Sequence, residues 1–69
     1  MKDEDVYLIL CNFEKRIVSL NTLMKYLNVS SSNTLYSVKK GESYKDCAEQ
    51  YKLFTEDQKQ KLVTLLRNL

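Results

Sequence analysis

The chain has no proline, no histidine, a single glycine (Gly41) and only two cysteines in 69 residues. Each shortage excludes something. Without histidine there is no zinc site that uses imidazole, and no histidine to act as general base or to activate a nucleophile. Cys11 and Cys47 are too few for a disulfide framework and too far apart in sequence for a metal-ligand pair. They read as small buried hydrophobes in a reducing compartment, with one disulfide between them still open. So few breakers, combined with apolar residues at three- and four-residue spacing, predict a mostly helical chain. No linker, repeat or low-complexity segment interrupts it.

Net charge is small, at +2, because 11 cations nearly balance 9 acids. Its distribution carries more. Residues 1–18 hold three cations against four acids, and residues 46–69 hold four of each. Residues 19–45 hold Lys25, Lys39, Lys40 and Lys45 against Glu42 alone, a net +3. That excess is a modest pointer to a polyanionic partner. The start "MKDEDVYLILCNF" lacks the order of a signal peptide, since its leading charges are mostly acidic and no small-residue cleavage site follows. The apolar run Val6–Cys11 is far shorter than the ~20 residues that span a bilayer. The expectation is therefore a soluble, cytoplasmic protein without a membrane partner.

What is present is 43% apolar residues, enough for a core. A chain this short is expected to form one domain over residues 1–69, burying only about 60% of its unfolded surface and so marginally stable. The pattern predicts an all-α bundle of about five short helices. The first runs from about Asp3 to Ile17, with acids in its first turn and Lys15 and Arg16 in its last, as the helix dipole favours. Val6, Ile9, Leu10, Phe13 and Ile17 form its inward face. A strand is the competing reading for "VYLIL", which is rich in strand formers. Ser19 caps a second helix of about Leu20–Leu27, whose inward residues are Leu20, Leu23, Met24 and Leu27, and Asn28 stops it. Val29 turns back to the core. Ser31 or Ser32 caps a third helix running to about Lys40, with Leu35 and Val38 inside and Gly41 as its C-terminal glycine. A fourth helix is expected after Ser43, which has Asp46 three positions on as a capping box. Its inward residues are Cys47, Ala48, Tyr51 and Phe54. Thr55 with Gln58 repeats the box and opens the last helix, where Leu62, Leu65, Leu66 and Leu69 form an apolar stripe. That stripe is a core face, and its distal end is a candidate dimer contact.

The stretch "YLNVSSSNTLYSVKKGES" is the functional clue. Two short helices joined by a tight turn, the second with a polar outer face, suit the major groove of DNA. Ser31, Ser32 and Asn33 place short polar groups at the start of the third helix, and Tyr36, Ser37 and Lys40 continue the face at helical spacing. Asn pairs bidentately with adenine, Ser serves donor or acceptor edges, and Lys bonds guanine or phosphate. These six are the candidate base contacts. Asn21, Lys25, Lys39 and Lys45 are the candidate phosphate contacts.

"SLNTLMKYLNVSSSNTLYSVKKGES" resembles the helix-turn-helix of the phage Cro/repressor family of small transcription regulators. The likeness rests on Ser19 opening the first motif helix, Leu23 and Leu27 in its core, "NVS" at the turn, "TL" at 34–35, Val38, and "KG" at 40–41. It covers about 25 residues closely, and the turn holds one residue more than the family pattern. The resemblance implies a five-helix domain that binds double-stranded DNA, often as a homodimer, in phage or mobile-element regulation. A second reading keeps the scaffold but makes it a protein-binding antagonist, either an antirepressor or an inhibitor of a host or phage protein. In that case Tyr7, Tyr26, Tyr36, Tyr44 and Tyr51 are the candidate anchors, since tyrosine is favoured at interface centres. No glycine-rich phosphate loop, nucleophile–base pair or paired-carboxylate motif is present. Neither an enzyme nor a cofactor or metal site is expected, and "DED" reads as a helix start.

Overall fold

A computed structural model describes residues 1–69 and contains five α-helices and no strand. They are α1 (Asp3–Lys15), α2 (Leu20–Leu27), α3 (Ser32–Lys40), α4 (Lys45–Lys52) and α5 (Glu56–Arg67). The strand reading of "VYLIL" is excluded. The all-α expectation and the order of the elements hold.

Helix α1 is the axis of the bundle. α3, α4 and α5 all pack on it, whereas α2 touches its neighbours less extensively. Its middle is consequently covered on every side. Val6, Leu8, Ile9 and Cys11 are buried, and Tyr7, Leu10 and Phe13 are half-buried against the same core. Cys11 is buried as its reading as a small hydrophobe expected, but the one-sided face omitted Leu8, because the sequence pattern of an amphipathic helix does not anticipate a helix with partners on opposite sides. Leu23, Leu35, Val38, Cys47, Tyr51, Leu62, Val63 and Leu66 complete the core. Both thiols are free and buried, and burial raises the pKa of each.

α1 ends two residues earlier than its periodicity predicts. Arg16 takes the left-handed conformation at φ 53°, and the buried carboxamide of Asn12 captures the backbone beyond it. Asn12 Oδ1 accepts from the N–H of Ile17 at 3.1 Å and of Val18 at 3.0 Å, while Nδ2 donates to the Val18 carbonyl at 3.0 Å. A side chain that bonds the backbone in this way competes with further helix.

The other boundaries follow local chemistry. Ser19 Oγ accepts from the Thr22 N–H, and Asn28 stops α2 in the left-handed region. Ser31, rather than Ser32, caps α3 by accepting from the Asn33 N–H at 3.2 Å. At the far end Gly41 sits at φ 79°, its N–H on the Val38 carbonyl and the Glu42 N–H on Ser37. This is the paired arrangement in which a glycine closes a helix with no Cβ penalty. It also overturns the capping box expected at Ser43. The Ser43 N–H is drawn back onto the Ser37 carbonyl, and α4 starts one residue later from Tyr44 at φ 55°, with no side-chain cap. Thr55 and Gln58 do form the expected box, with both bonds made.

The stripe expected on α5 divides. Leu62 and Leu66 lie in the core with Val63, so they offer nothing to a second copy; Leu65 is 52% exposed and Leu69 partly so. The five tyrosines divide as well. Tyr7 and Tyr51 pack against Phe54, with ring centroids 4.8 and 5.4 Å away, leaving Tyr26, Tyr36 and Tyr44 on the surface.

A polar clasp ties α1, α4 and α5 together. The Tyr51 hydroxyl donates to Glu14 Oε2 at 2.6 Å, and Lys59 Nζ donates to Oε1 at 3.1 Å. The Tyr51 hydroxyl, then Lys59, hold the Glu14 carboxyl below its ordinary range, while burial, then the carboxylate, push the Tyr51 phenol up. The signs are opposite. A depressed carboxyl stabilises the fold above its unfolded pKa and loses that contribution as pH falls through the folded value. A raised phenol stabilises below its unfolded pKa and loses that contribution as pH rises. Urea unfolding from neutral to acid pH should therefore show stability falling with pH, and Glu14→Gln should flatten part of the slope. The effect is small, since Glu14 is 42% exposed and solvent screens the pair. An unchanged slope would remove Glu14 from the account.

Candidate nucleic-acid interface

Leu35 and Val38 turn one side of α3 inward, which leaves Asn33, Tyr36, Ser37 and Lys40 on the opposite side at three- and four-residue spacing. Within the candidate base-contact set the structure makes distinctions. Asn33 and Lys40 are exposed, with no side-chain partner within the molecule. Ser31 is exposed but its Oγ is committed to the cap, and Ser32 and Ser37 are half-buried. Tyr36 is 40% exposed, with one face on Phe13 of α1 at a centroid distance of 5.6 Å. It sits on the α1–α3 seam and still reaches the surface. Thr34, which sequence reasoning passed over, is exposed on the other flank of α3.

The phosphate candidates fall in three places. Asn21 and Lys25 lie on the outer face of α2, around a shallow depression they share with Met24, Asn28 and Val29. Lys39 lies on the inner flank of α3, its ammonium 5.1 Å from the centroid of Phe13. Lys45 is apart from these, in a recess also lined by Asp3 and Asp46.

Sequence reasoning missed Arg16. Assigned to the last turn of α1, it would be one more dipole-complementing cation. The early stop of α1 instead places it at the lip of a cleft with Ser19 at the start of α2 and Lys39 of α3. Arg16, Lys25, Lys39 and Lys40 have no carboxylate partner, whereas Lys15 reaches Glu56 at 3.8 Å and Lys59 reaches Glu14. No acidic residue occurs between Glu14 and Glu42. The whole segment from the end of α1 through α3 is thus of one sign. The only signal for this in the sequence was that acid-free interval.

A four-residue connection, Asn28–Ser31, joins α2 to α3. That length lies within the range of helix-turn-helix turns, about 3–4 residues. No group of three or more Cys, Asp or Glu side chains is gathered as a metal site. No helix is long and apolar enough to cross a membrane. The chain matches no protein-family model, no curated protein and no solved structure.

Proposed function

We propose that the chain is a sequence-specific DNA-binding transcription regulator of phage Cro/repressor type, with α3 in the major groove. The supporting observation is the polar outer side of α3, in a segment, Arg16 to Gly41, that carries four unpaired cations and no acid. Asn33, Tyr36, Ser37 and Lys40 face base edges, with Ser31 and Ser32 beside them at the start of the helix. Arg16, Asn21, Lys25 and Lys39 approach phosphates. Phosphate contacts fix register, and base-edge contacts discriminate sequence.

The test is fluorescence anisotropy with random-sequence duplex at low and moderate salt. The three phosphates neutralised by Arg16, Lys25 and Lys39 give an affinity loss of about fortyfold between 50 and 200 mM salt. Absence of binding at both salts would overturn the proposal. Once an operator is found, Asn33→Ala should cost about 1–3 kcal/mol at one base position, while Lys25→Ala, at a phosphate, weakens all sequences alike. Uniform loss from both would remove Asn33 as a base reader.

One observation favours the second reading, a protein-binding antagonist on the same scaffold. Leu53 is 74% exposed and Leu65 52%, well outside the basic segment. Tyr26, Tyr36 and Tyr44 are the anchors left to that reading, because Tyr7 and Tyr51 are inside. A pull-down that captures a stoichiometric protein, from a chain inert toward duplex, would decide for it.

A further inference from the structure

We infer that the cleft between the end of α1, the start of α2 and the inner flank of α3 binds a small aromatic carboxylate. Eight residues line it, and its volume is about 310 Å³. That is the lower end of the range for small-molecule sites, roughly 300–1,000 Å³. Phe13, Val18, Leu20 and Tyr36 give it an apolar lining, and Arg16 and Lys39 are its cations. No acidic residue lines it, and neither cation has a carboxylate partner in the protein.

Two chemical requirements follow. The apolar lining is covered only by a ligand with an apolar body, and the nearby Phe13 and Tyr36 rings, tilted at 43°, favour a flat aromatic one. The guanidinium fork of Arg16 suits a planar two-oxygen acceptor, and the Lys39 ammonium adds a second positive charge without geometric demands. Lys39 now rests on the Phe13 ring with no anion to hold it. Of the two remaining polar side chains, Ser19 is bonded to Thr22, and Asn12 has both ends of its carboxamide bonded to the Ile17–Val18 backbone. Asn12 therefore does not compete for the ligand. It fixes the turn that presents Arg16, so the cleft is formed before a ligand arrives.

Titration of the ¹⁵N-labelled protein with 2-naphthoate, followed by amide chemical shifts and with no nucleic acid present, tests the site. Two comparison probes separate its parts: 2-naphthylmethanol has the apolar body without charge, and inorganic phosphate has charge without the body. Saturable shifts are expected at the amides of residues 12–21, 36 and 39, with α4 and the end of α5 unmoved. The alcohol should bind about tenfold more weakly, and Arg16→Gln should weaken naphthoate by a similar factor, each the equivalent of one modest charge-assisted contact. Arg16→Gln changes an exposed side chain, and unchanged shifts in α4 and α5 confirm that the variant is folded. Three results would overturn the inference: no saturable shift with naphthoate, shifts scattered over the whole chain, or phosphate binding as tightly as naphthoate. The last would make the cleft a simple anion site. Because duplex is absent from every arm, the outcome is independent of the DNA-binding proposal.

Discussion

Asn12→Ala is expected to lower the free energy of unfolding by about 3 kcal/mol, at roughly 1 kcal/mol for each of three backbone groups left unpaired. The groups are the Ile17 and Val18 N–H and the Val18 carbonyl, all now bonded to a side chain only 3% exposed. The low end of the range applies because Ile17 and Val18 are half-buried and water can reach them in part. The loss is large against what a domain of this size holds, about 3–5 kcal/mol, so the variant should be close to its midpoint at room temperature. Urea unfolding followed by circular dichroism measures it. Asn12→Asp provides a sharper check. Its carboxylate still accepts from both N–H groups but faces the Val18 carbonyl without a proton to donate. Protonation restores the donor, so this variant should gain stability relative to the parent as pH falls, the reverse of the Glu14 effect. A cost below about 1 kcal/mol for Asn12→Ala would mean that water substitutes for the carboxamide.

Asn12 also shows where sequence reading stops. A lone asparagine in the middle of a helix looks like one polar position among many, and its value depends on a chain reversal that comes after it. Features set by near neighbours were legible. Ser19, Asn28, Gly41 and the Thr55–Gln58 box mark their boundaries through bonds that span only a few residues. Leu35 and Val38 could be placed inside because α3 has one buried side. Features set by tertiary partners were not. α1 is enclosed by three helices, so its Leu8 is as deep as the face the pattern picked out. Tyr7 is taken inside by Phe54, a residue distant in sequence, and the bond from Tyr51, itself expected inside, to Glu14 of α1 was equally invisible. The candidate interface repeats the lesson. Its α3 residues were visible as a period, whereas Arg16 joined them only through the turn that Asn12 enforces.

Leu23→Ala should be the most selective of the large losses. Leu23 is the one fully buried side chain of α2, and Leu20, Met24 and Leu27 are only half-buried. Truncating a buried leucine costs about 2–5 kcal/mol, depending on how far the site collapses. α2 is eight residues long, and helices shorter than about 12 residues are not stable alone in water. Without Leu23 it has too little buried surface to stay folded. Its ends are nevertheless pinned independently, by the Asn12 clasp before Ser19 and by the Ser31 cap after Asn28. The expected outcome is therefore local. Hydrogen exchange at α2 amides should rise toward the rate of an open segment, while the amides of α1 and α5 keep protection set by global unfolding. The functional consequence follows from position, since α2 holds Asn21 and Lys25 and orients the entry to α3. Leu23→Ala should weaken duplex binding more than Lys25→Ala does, though it removes no charge. If α2 and α1 amides instead exchange together in the variant, α2 belongs to the same cooperative unit as the axis. The segment proposed to meet DNA would then be held as rigidly as the core.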